Sequence, residues 1–387
     1  MFRIRYYFIA SIALLLFTSK ANAQFRIYSN EFLNIGAGAR GLSMGGAQIA
    51  SVQGATASYW NPAALANVED HPEIALMDAN YFSGIGKYWF GSMAIPTNKK
   101  NRTLGISFIR FGVDDIPNTL YLVNPDGSID YNNISSFSSA DYAFLFSYAE
   151  KLSLKKIDLN VGGNAKIIYR QVGAFAQAWG FGFDLGAQMK KGNWHFGAVI
   201  KDVTTTFNAW TFSFSDKEKE ILYLTNNQIP VKSQELTAPH LTIGAGYEFS
   251  ISHKISLLAE TNWAMNFDGK RNNIISSSIL SIDPNFGLEA DYNKVIYLRA
   301  GVGNFQQALS DGDTTNQKKI WLFQPSIGLG VNIGNFGFDY ALSNLANQSN
   351  PLYSNMFSLR IKFIETHKKI KTPQVPSGNT GRRKRRF

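Results

Sequence analysis

The sequence predicts an all-β fold, a 14-stranded antiparallel transmembrane β-barrel with an N-terminal hatch in its lumen. Three observations predict this fold: an export signal, a series of segments that alternate apolar and polar residues, and connections that alternate between short and long. The composition agrees, since 14% of the 387 residues are aromatic and only 17% are charged. No apolar run of about 18 residues follows the N-terminus, so helical membrane spans are not expected.

Residues 1–23 are predicted to be a signal peptide. Basic residues precede an apolar run over 8–17, which is too short to span a bilayer, and residues 21–23 have the small-x-small pattern that signal peptidase requires. The alternative, an N-terminal membrane anchor, fits this pattern less well. The chain has no cysteine, which excludes disulfides, a thiolate metal site and an acylated N-terminus. We therefore expect an exported protein that begins at Gln24.

The barrel is predicted over residues 73–363. Within it, segments of about ten residues alternate with a period of two, which is typical of strands with one face toward lipid and one toward the lumen. The last strand is the clearest, and Phe363 is the terminus that barrel-assembly machinery would recognise. Its bulky apolar residues are Phe357, Leu359, Ile361 and Phe363. The fourteen predicted strands lie near 73–82, 85–96, 102–111, 138–149, 155–172, 176–189, 193–202, 240–250, 254–264, 285–292, 295–304, 320–332, 335–342 and 352–363.

The connections give an independent check, because a barrel with both termini in the periplasm has short turns there and longer loops outside. Every second connection is short, namely 97–101, 150–154, 190–192, 251–253, 293–294 and 333–334. The others include all the long ones, namely 112–137, 203–239, 265–284 and 305–319. A miscount by one strand would scramble this alternation. The alternative, a soluble β-sandwich, would show a more regular turn spacing.

Residues 24–72 are predicted to form the hatch. Much of this segment is rich in Gly and Ala without a period of two, and such small residues suit tight packing inside a lumen. Arg40 would need a partner there, since an unpaired charge in a low-dielectric lumen costs several kcal/mol; that pair either gates the hatch or is a permanent structural ion pair. Asn61 and Pro62 favour a turn that ends the hatch before the first strand. The candidate hatch residues are Arg40, Met44, Gly45, Gly46, Tyr59, Trp60, Asn61 and Pro62.

Two motifs in the hatch carry a resemblance to a known family. They are Gly-Ala-Arg-Gly-Leu-Ser-Met-Gly-Gly-Ala over residues 38–47 and Tyr-Trp-Asn-Pro-Ala over residues 59–63. With them the chain resembles the PorV/PorQ family of Bacteroidetes outer-membrane proteins, which is related in fold to the FadL fatty-acid channels, over residues 25–363. The resemblance implies a 14-stranded barrel with a lumenal hatch. It also implies a role in the type IX secretion system, where family members bind exported cargo or assist surface attachment.

The sequence offers little catalytic or metal-binding chemistry, and we expect neither an enzyme nor a cofactor. The five histidines are dispersed, and none forms an i, i+4 pair or a cluster with acids. The Gly-x-Gly fragments at 180–182 and 328–330 lie in β-alternating runs, so a phosphate loop is not expected. Opposite charges inside a barrel usually pair. The charged residues expected to face the lumen are Asp184, Glu260, Glu289, Arg299 and Asp339.

The net charge of +10 lies in the two ends of the chain. Residues 1–23 hold 3 basic residues and residues 364–387 hold 8 against 1 acid, which leaves 27 basic and 27 acidic residues between them. The segment 364–387 is predicted to be a disordered periplasmic tail. It either docks on an anionic surface or an acidic protein or is a solvated extension, and nucleic acid is not an expected partner of an exported tail. Its basic cluster is Arg382, Arg383, Lys384, Arg385 and Arg386.

Two functions remain open. The first is a non-enzymatic accessory component of the type IX secretion system, with secretion proteins or exported cargo as partners, and it rests on the resemblance. The second is passive transport of hydrophobic small molecules through a FadL-like lumen, favoured by Tyr59 and Trp60 near the hatch. An apolar lumen or a gap between strands would favour transport, and a polar, filled lumen would favour binding. In both cases we expect the chain in the outer membrane of a Gram-negative, Bacteroidetes-like bacterium, surrounded by outer-membrane lipid.

Overall fold

The computed structural model describes residues 29–364 except 69, 98–100, 125, 155–156, 229–231, 310–318 and 345–352. The predicted signal peptide and residues 365–387 of the basic tail lie outside the described residues. Most of the described chain belongs to one antiparallel β-sheet. No helix in this part of the chain is long and apolar enough to cross a bilayer.

The sheet closes on itself, because β1 pairs with both β2 and β17. All pairings between its strands are antiparallel. The strands are β1 (Glu73–Tyr81), β2 (Gly86–Pro96), β3 (Arg102–Asn118), β4 (Ser135–Leu154), β5 (Ile157–Val172), β6 (Ala176–Lys191), β7 (Trp194–Lys201), β8 (Thr206–Phe212), β9 (Lys232–Thr237), β10 (His240–Ser250), β11 (Ile255–Asn266), β12 (Ile275–Ser276), β13 (Ser281–Tyr292), β14 (Ile296–Leu309), β15 (Lys319–Ile333), β16 (Phe336–Asn344) and β17 (Tyr353–Lys362).

Two strands of the barrel are each divided in two. Both β7 and β8 pair with β6, while β10 pairs with β7 and β9 pairs with β8. Thus β7 and β8 form one barrel strand broken at residues 202–205, and β9 and β10 form another broken at residues 238–239. The two-residue β12 lies beside β13 in the connection that precedes it. Counted in this way the barrel has fourteen strands, and the predicted fold class is confirmed.

The prediction that residues 203–239 form one long connection is therefore wrong. It contains β8, a surface helix over Asp216–Leu224, and β9. The helix begins with a capping box, in which the Ser215 side chain and the Glu218 side chain each bond the other residue's backbone N–H. The length of the segment suggested a loop, but the period of two resumes after the break: Asn208 is buried while Phe207 is exposed.

The other connections keep the predicted alternation of short and long. Several boundaries differ from the prediction, two of them at the ends of β4 and β3. Residues 150–154, predicted as a turn, belong to β4, because the strand continues to Leu154. The first long connection is shorter than predicted, since β3 continues to Asn118 and β4 already begins at Ser135.

The outer face of the barrel is apolar. Along β6 the outward side chains are between 50% and 57% exposed, whereas the residues between them are buried glycine, alanine or polar groups. These outward residues are Trp179, Phe181, Phe183 and Leu185. So large an apolar surface is stable only when lipid covers it.

The last strand has the predicted faces. Phe357 faces outward and is 56% exposed, and Leu359 and Ile361 follow on the same face. β17 ends one residue before Phe363, whose backbone N–H donates to the Pro72 carbonyl at 2.9 Å. The end of the last strand is therefore bonded to the segment that leads into the first.

The hatch, residues 29–68, lies inside the barrel. It contains short 3-10 helices over Glu31–Leu33 and Pro62–Asn67 and short α-helices over Ala39–Ser43 and Ala57–Trp60. Most of its side chains are buried. Its middle part touches β13, β14 and β15, and its last part touches β5 and β6 on the other side. A segment that contacts opposite walls of a closed barrel can only fill its lumen.

The turn predicted at Asn61 and Pro62 forms, but it does not end the hatch. Asn61 Oδ1 accepts a hydrogen bond from the Ala63 backbone N–H at 3.2 Å, and Pro62 begins a 3-10 helix. Proline suits that position because its missing N–H would have no partner within the helix. The hatch therefore continues to Val68, and β1 begins at Glu73.

Candidate functional site

The hatch rests on a wall of glycines. A Cβ added to Gly301 would lie 2.0 Å from the carbonyl carbon of Met44, and one added to Gly287 would lie 2.7 Å from its carbonyl oxygen. On the hatch side, Gly45 has a φ of 63° and its backbone lies against that of Val302. Backbone approaches this close need glycine on one or both sides. Met44 and Gly45 are thus packing residues that seat the hatch on β13 and β14.

We expect Gly301→Ala to lift the hatch from this wall, because the new methyl group overlaps backbone atoms that have no free space to move into. Overpacking of this kind costs about 1–3 kcal/mol. The labelling rate of a Met44→Cys reporter by a maleimide measures it, and the chain has no other cysteine. Gly91→Ala is the control, since its Cβ would meet only Leu76 at 3.5 Å. Equal labelling in both variants would contradict the packing argument.

Arg40 has the partner that its burial demands. Its Nε and Nη2 atoms bond the two Glu289 carboxylate oxygens at 2.8 and 2.9 Å. Arg299 bonds the same carboxylate at 2.5 Å and Asp339 at 2.7 Å, so two cations face two anions across the hatch and the wall. Burial lowers the pKa of Arg40, but the charge of Glu289 and its hydrogen bonds outweigh this and hold the pKa above its ordinary value.

The remaining lumenal acids also bind specific groups. Glu260 accepts the Ala50 backbone N–H at 2.8 Å, so it fastens the hatch to β11. Asp184 pairs with Lys166, which the sequence analysis did not single out. Within the described ranges, no group of three or more His, Asp or Glu side chains is arranged to hold a metal ion.

Tyr59 and Trp60 stabilise the hatch itself. The Tyr59 hydroxyl donates to the Leu33 carbonyl at 2.6 Å and accepts the Gly36 N–H at 2.8 Å, and the Trp60 indole N–H donates to the Ala37 carbonyl at 2.6 Å. Burial raises the pKa of Tyr59 well above its ordinary value, so it stays neutral. Both rings therefore tie the end of the hatch to its beginning.

Beside the break in the wall lies a buried ion cluster. Lys166 Nζ is 2.7 Å from Asp184 Oδ1 and 2.5 Å from Asp202 Oδ1, and all three side chains are less than a tenth exposed. Thr206, the first residue of β8, also donates to Asp202. Asp202 has a φ of 56°, a left-handed conformation, where β7 leaves the ladder. The cluster thus binds the two halves of the broken strand to β5 and β6.

The first described residues of the hatch bond the wall beside the break. Ser29 Oγ donates to Glu235 on β9 at 2.9 Å, and Asn30 Nδ2 donates to Thr237 at 3.0 Å. Asn208 on β8 donates to Ser29 at 2.6 Å and to the Asn30 side chain at 3.0 Å. Ser29 and Asn30 therefore link β8 and β9, one segment from each divided strand.

A vestibule of about 460 Å³ lies between the hatch and the strand ends that lead to the long connections. Its floor includes Gly46, Tyr59 and Trp60, and its wall includes Lys201 at the end of β7. The Lys201 ammonium lies 4.7 Å from the centre of the Tyr59 ring. A second, much smaller cavity of about 20 Å³ shares Tyr59 and Lys201 with the vestibule and reaches Asp202 at the break.

The residues at the break were not predicted from the sequence, although signals for them exist. Lys166 occupies an inward position of β5, two residues from Asn164, so the period of two places it in the lumen. Pro239 interrupts a run that otherwise reads as strand, and proline within a strand marks an edge or a break. The roles of Ser29 and Asn30 carry no signal in the sequence.

Comparisons with known proteins agree on the fold. No protein-family model matches the sequence, and no curated protein shows a significant match. The CymD monoaromatic hydrocarbon channel is similar over 86% of this chain and 99% of its own, with a TM-score of 0.52 and 13% identity. The P. putida toluene transporter TodX is similar over 85% of this chain and 99% of its own, with a TM-score of 0.51 and 13% identity.

At this identity the likeness shows the fold alone. The chain has the FadL-like barrel fold that the resemblance implies. Membership of the PorV/PorQ family stays a prediction.

Proposed function

We propose that the chain is a passive transporter of small hydrophobic molecules in a Gram-negative outer membrane. Molecules enter the vestibule from outside and leave sideways through the divided wall. The fold supports this proposal, because the two solved structures compared above are described as a hydrocarbon channel and a toluene transporter. The apolar outer face around the break supports it too, since Ile200 and Phe207 on either side are exposed toward lipid.

One observation carries the proposal: a small cavity that shares residues with the vestibule reaches the break in the wall, where Ser29 and Asn30 of the hatch bond β8 and β9. The small cavity beside the break shares Asn34, Tyr59 and Lys201 with the vestibule, and it ends at Asp202 and Thr237. These two hatch residues are held by side-chain hydrogen bonds, each of which contributes about 1 kcal/mol. Displacing residues 29–30 would break four of these bonds, and Asp202 with its partner Lys166 would also move before the vestibule joined the lipid.

Locking these residues to the wall should stop transport. We expect an Asn30→Cys/Thr237→Cys variant, joined by oxidation or a short dithiol cross-linker, to reduce uptake of labelled toluene to the background of cells without the barrel. Cleaving the link should restore uptake, which makes the reduced protein its own control. The chain has no cysteine of its own to interfere. Undiminished uptake with the link closed would remove the break as the exit.

A second candidate function follows from the polar, filled lumen. Arg40 with Glu289, and Glu260 with Ala50, fix the hatch to the wall, as would suit a barrel that binds partners rather than passing molecules. With the PorV/PorQ resemblance, this supports a non-enzymatic accessory role in the type IX secretion system of a Bacteroidetes-like bacterium. Affinity purification from outer membranes in mild detergent tests it: secretion proteins or exported cargo should copurify with the barrel, and their absence would count against this role.

A further inference from the structure

Many carboxamide side chains line the wall of the vestibule. Five neighbouring strands, β11 and β13 to β16, present amide or hydroxyl side chains to it above the hatch. Asparagine is depleted in strands, and Asn266, Gln306 and Gln324 are not among the residues that contact the glycines under the hatch. Contact with the hatch explains Asn262, which bonds Gly46, and Asn285, which lies against Gly46, but it does not explain the other residues. The residues are Asn262, Asn266, Asn285, Gln306, Gln324 and Ser343.

Two buried acceptors in this wall have no hydrogen-bond partner within the described part of the chain. They are Asn262 Oδ1 and Asp283 Oδ1. Asn262 is only 1% exposed, while its Nδ2 atom donates to the Gly46 carbonyl at 2.9 Å. A buried acceptor left unpaired costs about 1–3 kcal/mol, so these two atoms mark polar groups that the described chain itself does not satisfy.

The charges around the vestibule are balanced and mostly engaged. Lys201 lies over the Tyr59 ring, and Arg271 pairs with Asp268. Glu31 accepts a hydrogen bond from Asn34 at 3.0 Å. With Asp283 as the other acid, two cations and two anions line the cavity, so it offers no net charge to attract an ion.

We infer that the vestibule binds an uncharged, hydroxyl-rich group of the kind that a sugar presents. Each carboxamide supplies donors and an acceptor, which match hydroxyl groups that both donate and accept. The aromatic residues Trp60, Tyr81 and Phe82 supply apolar contacts, and the volume of 460 Å³ lies within the range of about 300–1,000 Å³ of small-molecule sites. The inference deepens the proposed function and rests on it, because such a group would be the head of an amphipathic molecule that the barrel passes.

Saturation-transfer NMR on the full chain in lipid nanodiscs tests this with methyl β-glucoside as the probe. We expect transfer to the sugar ring protons, and at least a several-fold loss of it in Asn266→Leu and in Gln324→Leu. Asn355→Leu is the matched control, since Asn355 lies on the outer wall, where it accepts a hydrogen bond from the Tyr340 hydroxyl. Its transfer should equal that of the unchanged chain.

The outcomes separate this inference from the proposed function. Absent transfer, or transfer that survives both vestibule substitutions, overturns the inference even if labelled toluene is taken up through the break. Sugar binding without toluene uptake upholds the inference on the site and removes the proposed transport. Folding of each variant is checked by the altered gel migration that an intact barrel shows before heating.

Discussion

Replacing Arg40 with leucine is expected to raise the fraction of molecules with an exposed hatch by roughly two to three and a half orders of magnitude. The Glu289 carboxylate is shared between Arg40, at 2.8 Å, and Arg299, at 2.5 Å. Removing one partner of a buried ion pair costs about 3–5 kcal/mol, because the other charge stays buried, and each 1.4 kcal/mol is about tenfold in an equilibrium. The measurement is the maleimide labelling rate of the Met44→Cys reporter, which is fully buried in the closed hatch.

A double substitution separates the loss of charge balance from the loss of packing. Arg40→Leu with Glu289→Leu leaves Arg299 paired with Asp339 at 2.7 Å, so the remaining charges balance. We expect this variant to label more slowly than Arg40→Leu alone. Equal labelling rates of the Met44→Cys reporter with and without Arg40→Leu would show that Arg40 does not hold the hatch. If Arg40→Leu labels fast and toluene uptake is unchanged, the Arg40–Glu289 pair is a structural lock and not a gate for transport.

The barrel was predictable because the sequence pattern that specifies each strand lies within that strand. A strand between lipid and a packed lumen must be apolar on one face and small or polar on the other, and the period of two shows this within about ten residues. In β6, Phe181 and Phe183 face lipid while Gly182 and Asp184 face the lumen. The alternation of short and long connections then supports the count of fourteen strands. With both chain ends on one side of the membrane, a miscount by one strand would break that alternation.

The partners inside the lumen were not predictable in the same way. Burial dictates that Arg40 needs an acid, but several acids occupy inward positions, and the choice of Glu289 depends on the depth of the hatch and on barrel register. Those quantities come from contacts between residues 249 positions apart. The break at residues 202–205 was hidden for another reason. A segment as long as 203–239 resembles a loop by length, although its strands resume the period of two.

Replacing Lys166 with methionine is expected to destabilise the barrel beside the break by about 3–5 kcal/mol. The Lys166 ammonium is the cation that Asp184 and Asp202 share, at 2.7 and 2.5 Å, and methionine leaves two buried carboxylates close together. Their repulsion acts at the end of β7, next to Asp202, whose backbone already has a left-handed conformation. The measurement is the urea midpoint of unfolding from lipid vesicles, followed by tryptophan fluorescence.

Two controls make this result specific to the buried cluster. Lys190→Met makes the same substitution in an exposed ion pair with Glu248, and such surface pairs contribute about 0–1 kcal/mol. Lys166→Met combined with Asp184→Asn and Asp202→Asn removes all three charges, so it should recover much of the loss, because amides keep most of the hydrogen bonds without the repulsion. If Lys166→Met were no worse than Lys190→Met, the cluster would not be what holds the divided strand to β5 and β6.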